Sequence, residues 1–376
     1  YKNKTKYDAV LSGYYGFNNS GDDALLLGII QSMKKIFPGI RLCVLSNSPA
    51  ETRKRYRTDS EKRFSITGVN RALKNTKLLI NGGGSLIQDA TSLKSLLYYL
   101  YVIHLAQKKN IPVFVYANGI GPISAKNAPL AARVLKKCTA ITLRDSLSLS
   151  ELSNMGLDTQ NIPITADPAV MLEPEDKEKI YDIFNSQGIP VDKKTLCISV
   201  RPWENNDKNF AKKIAQISDI CYEKYGLVSV FLPMKPSSDL KFSQNISSLT
   251  KHESFVLTKP LSVRETIGVI SCSDVVLGMR LHSLIYALCA SIPCVGLLYD
   301  PKITGFLNDL GNTLICNAAD IDTDKLLSTI EYALQNSDTI KQDMSDKLAQ
   351  LREKANQDAR KAISLACGPN FLKADE

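Results

Sequence analysis

At 376 residues the chain outgrows one ordinary hydrophobic core, so two domains of roughly 150–200 residues are expected. Hydrophobic residues make up 44% and charged residues 23%, the balance of a soluble globular enzyme. The net charge of +9 suits an anionic substrate or lipid surface; nucleic acid is disfavoured, because the basic residues are dispersed and no reader motif accompanies them.

The chain begins at Tyr1, without methionine, so a few native residues are expected to precede it; the polar Tyr1–Lys6 leader reads as frayed, and no signal peptide is visible. From there one pattern recurs: a short apolar strand, a polar or glycine-rich turn, then a segment of helical period. Tyr7–Ser12 feeds Gly13-Tyr14-Tyr15-Gly16-Phe17-Asn18-Asn19-Ser20-Gly21-Asp22-Asp23 and a helix Ala24–Phe37. The cluster Arg53-Lys54-Arg55-Tyr56-Arg57 reads as a solvated helix face. Leu78-Leu79-Ile80 feeds Asn81-Gly82-Gly83-Gly84-Ser85 and a helix Ser92–Lys108. The apolar stretch Leu93–Ala106 within that helix contains Lys94 and His104 and falls short of the roughly 20 residues that span a bilayer. Its Leu96–Tyr101 portion reads either as an interfacial face or, preferably, as a face packed on the first sheet. Val113–Tyr116 feeds Ala117-Asn118-Gly119-Ile120-Gly121-Pro122, Ala140–Leu143 feeds Arg144-Asp145, and Ile164-Thr165-Ala166 feeds Asp167-Pro168.

Charged, weakly periodic residues from Glu173 to Lys194 mark a domain boundary, after which the pattern restarts. Leu196–Val200 leads to Arg201-Pro202-Trp203 and Leu227–Leu232 to Pro233-Met234-Lys235. Ser262-Val263-Arg264-Glu265 is a capping box. Ser273–Leu277 leads to Gly278-Met279-Arg280-Leu281-His282-Ser283 and a helix Leu281–Ala290, and Pro293–Leu298 to Tyr299-Asp300-Pro301-Lys302. The tail Asp322–Ala366 reads as helix long enough to return to the first domain. The domains expected are 1–172, 190–345 and the returning helix 346–376. The fold class is α/β: two doubly wound, Rossmann-like domains facing a cleft, as in GT-B glycosyltransferases.

Nine cysteines, without C-x-x-C and mostly inside apolar runs, read as reduced core thiols of a cytoplasmic protein. Three scattered histidines without H-E-x-x-H predict no metal site. The Asn81–Ser85 turn lacks G-x-G-x-x-G spacing, and no G-x-x-x-x-G-K-[ST] occurs, which counts against dinucleotide and P-loop chemistry; ligand cradle and tight turn fit it equally. Asn18–Asp23 is dense in groups that bond sugar hydroxyls, with Asp22 favoured as a helix cap and Asp23 as a site carboxylate. Arg201, Arg280, His282 and Lys302 all follow strands of the second half. Each alone fits a structural role, but the convergence points to a pocket for phosphate or carboxylate, with an acid or base beside it.

In order, these blocks resemble those of the polysaccharide pyruvyl transferases, and among them the bacterial cell-wall type, over about residues 7–310. One departure is Asp23, where relatives often carry glutamate. The resemblance implies a GT-B-like fold and phosphoenolpyruvate as co-substrate, without another cofactor. It implies as acceptor a lipid-diphosphate-linked saccharide ending in N-acetylmannosamine, ketalised at O4 and O6, hence peripheral contact with the cytoplasmic membrane face. Carried onto this chain, it makes Arg201, Arg280 and His282 donor-site residues; the chemistry of ketal formation makes His282 the best candidate for the acid, and Ser283 and Lys302 are further donor-binding candidates. Asp23 is then a base, with Asn18, Asn19, Gly83, Ser85, Asn118 and Arg144 on the acceptor. The rival readings are a GT-B glycosyltransferase or sugar-nucleotide epimerase, told apart by nucleotide-sugar binding, and a non-catalytic sugar-binding protein.

Overall fold

The computed structural model describes residues 5–202, 207–299, 307, 311, 314–369 and 371. The chain divides into two compact units. The first comprises Tyr1–Asn18, Asp22–Met171 and Leu351–Glu376; the second comprises Asn19–Gly21 and Leu172–Gln350.

Six parallel strands form the sheet of the first unit: β1 (Ala9–Tyr15), β2 (Leu42–Ser46), β3 (Asp59–Lys62), β4 (Leu79–Gly82), β5 (Val113–Asn118) and β6 (Ala140–Leu143), in the order β3-β2-β1-β4-β5-β6. Period-two alternation sends Val10, Leu79, Val113 and Val115 to one face and Ala9, Leu11, Ile80 and Phe114 to the other. The first face is covered by α3 (Ile66–Lys74), α4 (Leu93–Lys108) and α5 (Ala128–Leu135). The second is covered by α1 (Ser20–Ile36) and by Ala359, Ala362, Ile363 and Ala366 of the C-terminal helix Ser337–Cys367, whose alanines permit close approach to the sheet. The C-terminal helix therefore does return to the first sheet.

The second unit repeats the plan. Its strands are β7 (Thr195–Ser199), β8 (Val228–Phe231), β9 (Ser254–Val256), β10 (Val275–Gly278), β11 (Cys294–Leu298) and β12 (Ile315–Asn317), in the order β12-β11-β10-β7-β8-β9. In each sheet the chain steps outward from its first strand, then returns to build the other half. This leaves a switch point between β1 and β4, and another between β7 and β10, the position where sheets of this kind bind ligands at the carboxyl ends. Among the described residues no helix is long and apolar enough to cross a membrane.

Several elements depart from expectation. Ile164–Ala166 contributes an isolated bridge to Leu143 instead of a strand, because Pro163 and Pro168 bracket a segment too short for a ladder. The first helix starts at Ser20, four residues before Ala24. The polar edge strand β3, Asp-Ser-Glu-Lys, has no apolar alternation to announce it. The helical tail is two helices, Thr323–Gln335 and Ser337–Cys367, parted at Asn336. Trp203 and the Asp300-Pro301-Lys302 turn, with the candidate Lys302, lie outside the described residues.

Candidate active site

At the switch point of the second sheet, Ser199 of β7 is in register with Gly278 of β10, and the Met279 amide donates to the Ser199 carbonyl at 2.8 Å. Arg201 and Arg280 each stand two residues beyond that register pair, so both emerge at the carboxyl edge of neighbouring strands. Arg201 donates from Nη1 to the Tyr299 hydroxyl at 3.3 Å, with its guanidinium 5.4 Å from the Tyr299 ring centroid, at the end of β11. Arg280 clasps Asp239 through Nε and Nη2, both at 2.6 Å. Asp239 is fully buried in the first turn of α9 (Pro236–Ser247). That pair uses one edge of the guanidinium and directs the Nη1 edge away from Asp239.

Arg280 is also the residue before α11 (Leu281–Ala290), and its side chain does not cap that helix. The first-turn amides of α11 thus adjoin Arg280, and Arg201 follows the neighbouring strand, an arrangement suited to an anion. Ser283, fully buried, turns its hydroxyl back to the Arg280 carbonyl at 2.5 Å and locks the turn. His282 lies in the first turn of the same helix with its ring against Gly21; a Cβ on Gly21 would stand 2.4 Å from Nδ1. The segment Asn19–Gly21 is tied to this unit by Ser20. Its amide donates to the Met234 carbonyl at 3.3 Å, its hydroxyl lies 2.9 Å from that of Tyr286, and its carbonyl accepts from Tyr286 at 2.7 Å.

In the first unit a polar network occupies the carboxyl ends of β4, β5 and β6. Arg144, buried, donates to Asp167 at 2.7 Å and to the exposed Ser85 hydroxyl at 3.0 Å. Asn118 is fully buried: it donates to the carbonyls of Asn81 and Tyr116 and accepts from the Asn81 amide at 2.8 Å, stitching β4 to β5. Gly83 and Gly84 both take positive φ (67° and 72°), and Cβ atoms there would press on Leu25 at 3.0 and 3.2 Å, so the turn is tight and packs on α1. Asn18 is exposed, with φ of 53°. Asp23 is buried, bonded to Arg55 at 2.9 Å and to the Tyr56 hydroxyl at 3.2 Å. Burial raises its carboxyl above the ordinary value, and the Arg55 charge opposes that rise. The basic cluster that includes the end of α2 (Pro49–Tyr56) is solvated as expected at Arg53, Lys54, Arg55 and Arg57, while Tyr56 is buried and Arg55, still part-exposed, reaches Asp23.

Residues 19–301 match the family model of polysaccharide pyruvyl transferases, three-quarters of the chain. The chain belongs to that family. A curated relative, the amylovoran biosynthesis protein AmsJ of Erwinia amylovora, is 23% identical over 299 residues, 74% of this chain and 71% of the relative. As a polysaccharide pyruvyl transferase, the protein is an enzyme that joins a pyruvyl donor to a saccharide acceptor. Solved structures share the fold at low identity. The UDP-GlcNAc 2-epimerase of Methanocaldococcus jannaschii has a TM-score of 0.61 at 15% identity, covering 87% of this chain and 92% of that one. Anabaena Alr3699/HepE, solved with UDP and glucose, has 0.58 at 11% identity, covering 98% and 99%. These likenesses support a two-sheet, Rossmann-like α/β fold for this pyruvyl transferase.

Of the residues that hold the candidates in place, sequence reasoning missed Asp239 and Tyr286, and named Asp167 and Tyr299 only as turn residues without a role. Asp239 carried a signal, since proline followed by an acid three residues on marks a helix start. Tyr286 and Tyr299 carried none, because their partners are distant in sequence.

Proposed function

We propose that the enzyme moves the carboxyethylidene unit of phosphoenolpyruvate onto a lipid-diphosphate-linked cell-wall saccharide ending in N-acetylmannosamine, forming a 4,6-ketal and releasing phosphate. The observation that carries the donor reading is the register-matched pair Arg201 and Arg280 beside the first turn of α11. Two guanidinium groups and helix amides suit a compact ligand bearing both phosphate and carboxylate. Ser283 supports this pocket by fixing the Arg280 turn, and Lys302 is proposed as a further cation of it.

In the proposed reaction His282 gives a proton to the methylene carbon of the donor, making C2 electrophilic. One sugar hydroxyl adds to C2 and its proton passes to a base, for which Asp23 is the candidate. The arginines stabilise the phosphate as the C2–O bond breaks, and the second hydroxyl attacks the resulting C2 cation and closes the ketal, its proton returning to His282 while the proton held by the base leaves with phosphate. Side chains alone supply these roles, so no metal or further cofactor is invoked. For the acceptor we assign Asn18, Asn19, the Gly83 turn, Ser85 and Arg144, with Asn118 bracing β4 and β5 beneath them. A lipid-linked acceptor puts the enzyme in the cytoplasm, peripheral to the inner membrane face. Phosphate release from phosphoenolpyruvate, dependent on a mannosamine-terminated acceptor, is the expected result. Binding of a nucleotide sugar without donor-dependent phosphate release would favour the glycosyltransferase or epimerase reading instead.

A further inference from the structure

Of the ten large hydrophobic side chains exposed among the described residues, five gather at one place on the first unit. Leu93, Leu97 and Tyr101, 45%, 42% and 47% exposed, recur every four residues along one face of α4. Phe64, 60% exposed, lies on the loop into α3 and Ile66, 73% exposed, is the first residue of α3; the Phe64 ring meets Tyr98 of α4 at 5.5 Å. The remaining outward residues of α4 include Lys94, His104 and Lys108, and none of its sixteen residues is a carboxylate. Nearby acids are engaged: Glu61 pairs with Arg71 at 3.3 Å, and Asp89 accepts from Ser124 and Asn127. Beneath the rings lies Arg63, 3% exposed, within 4.5–5.6 Å of the ring centroids of Tyr14, Phe17, Phe64, Tyr98 and Tyr99. It donates to the Gly13 carbonyl and the Tyr99 hydroxyl, and among the described residues it pairs with no carboxylate. A fixed cation thus underlies an aromatic and aliphatic surface edged by Lys62 and Lys94.

We infer that this face, Phe64, Ile66, Leu93, Leu97 and Tyr101 with Lys62, Lys94 and Lys108, seats the protein on an anionic lipid surface. Such a layer takes apolar side chains at its acyl boundary and cations at its headgroups, and the face offers both without a carboxylate on α4 to repel it. A second copy of the chain is the poorer occupant, since a two-fold contact would set these lysines against their own equivalents. The inference specifies the membrane contact of the lipid-linked acceptor reading and rests on that reading for its purpose. Its test uses neither donor nor acceptor, so the two fail separately.

The full-length protein is to be sedimented with phosphatidylcholine vesicles and with vesicles containing about one-third phosphatidylglycerol. Binding to the anionic vesicles at low salt is expected, about tenfold or more weaker on neutral vesicles and falling as salt screens the lysines. Leu97→Ser with Tyr101→Ser should weaken it about tenfold, and Lys94→Gln about fivefold, with unchanged thermal midpoints showing that the fold is intact. No binding to anionic vesicles, variants that bind like the parent, or a self-association abolished by the same substitutions would each overturn the inference.

Discussion

At the residue scale the decisive groups are short-range. Arg280 is held by a buried acid on one edge, and in the proposed donor role its other edge takes the ligand, so Arg280→Lys should weaken phosphoenolpyruvate binding by about 1.5–3 kcal/mol in calorimetry. A lower thermal midpoint with undiminished affinity would make Arg280 a clamp for α9 alone. His282 should matter for turnover more than for affinity: His282→Ala is expected to cut kcat by roughly 10²–10⁴, and His282→Gln nearly as much, since an amide hydrogen-bonds but delivers no proton. A glutamine variant with near-parental kcat would reduce His282 to orienting the donor. Gly21 has no room for a methyl group beside the His282 ring, so Gly21→Ala should shift the ring and lower kcat with little change in donor affinity. Unchanged kcat would show that the ring position is not critical.

At the element scale the C-terminal helix carries an acid where it meets the first unit. Asp358 is 1% exposed and accepts from the Thr165 hydroxyl, and burial pushes its carboxyl up to about 7. The folded-state value lies above that of the unfolded chain. Between about pH 4 and 7 the unfolded chain therefore releases a proton that the folded chain keeps, and stability falls as pH rises through that window. Asp358→Asn keeps the size and an acceptor for Thr165 but removes the charge, so it should flatten this slope and gain roughly 2–4 kcal/mol at neutral pH. Denaturant unfolding at several pH values measures it; parallel parent and variant profiles would contradict the assignment. The cysteines present the complementary case. Burial lifts the thiols of Cys43, Cys138, Cys197, Cys221 and Cys294 to about 12, as expected of inert core residues.

At the scale of the whole molecule the proposed donor residues within the described chain fall in the second unit and Asn18 and Ser85 in the first. Asn18→Gly and Ser85→Ala should then raise the KM for the acceptor while leaving phosphoenolpyruvate affinity unchanged; a parallel loss of donor affinity would refute that division. The sequence by itself determined the alternation of strands and helices, and hence parallel sheets, because buried strands and amphipathic helices write their period locally. It also marked Arg201 and Arg280 as candidates, because each closely follows a strand, and His282 because it opens the next helix at the same edge, where parallel sheets bind ligands. Only the tertiary structure decided that β7 and β10 are neighbours, which pairs the two arginines. It alone engaged Arg280 with Asp239, stitched Asn118 into the sheet, and turned Arg55 onto Asp23. Those outcomes depend on strand order and on contacts between residues tens of positions apart, which local periodicity does not encode.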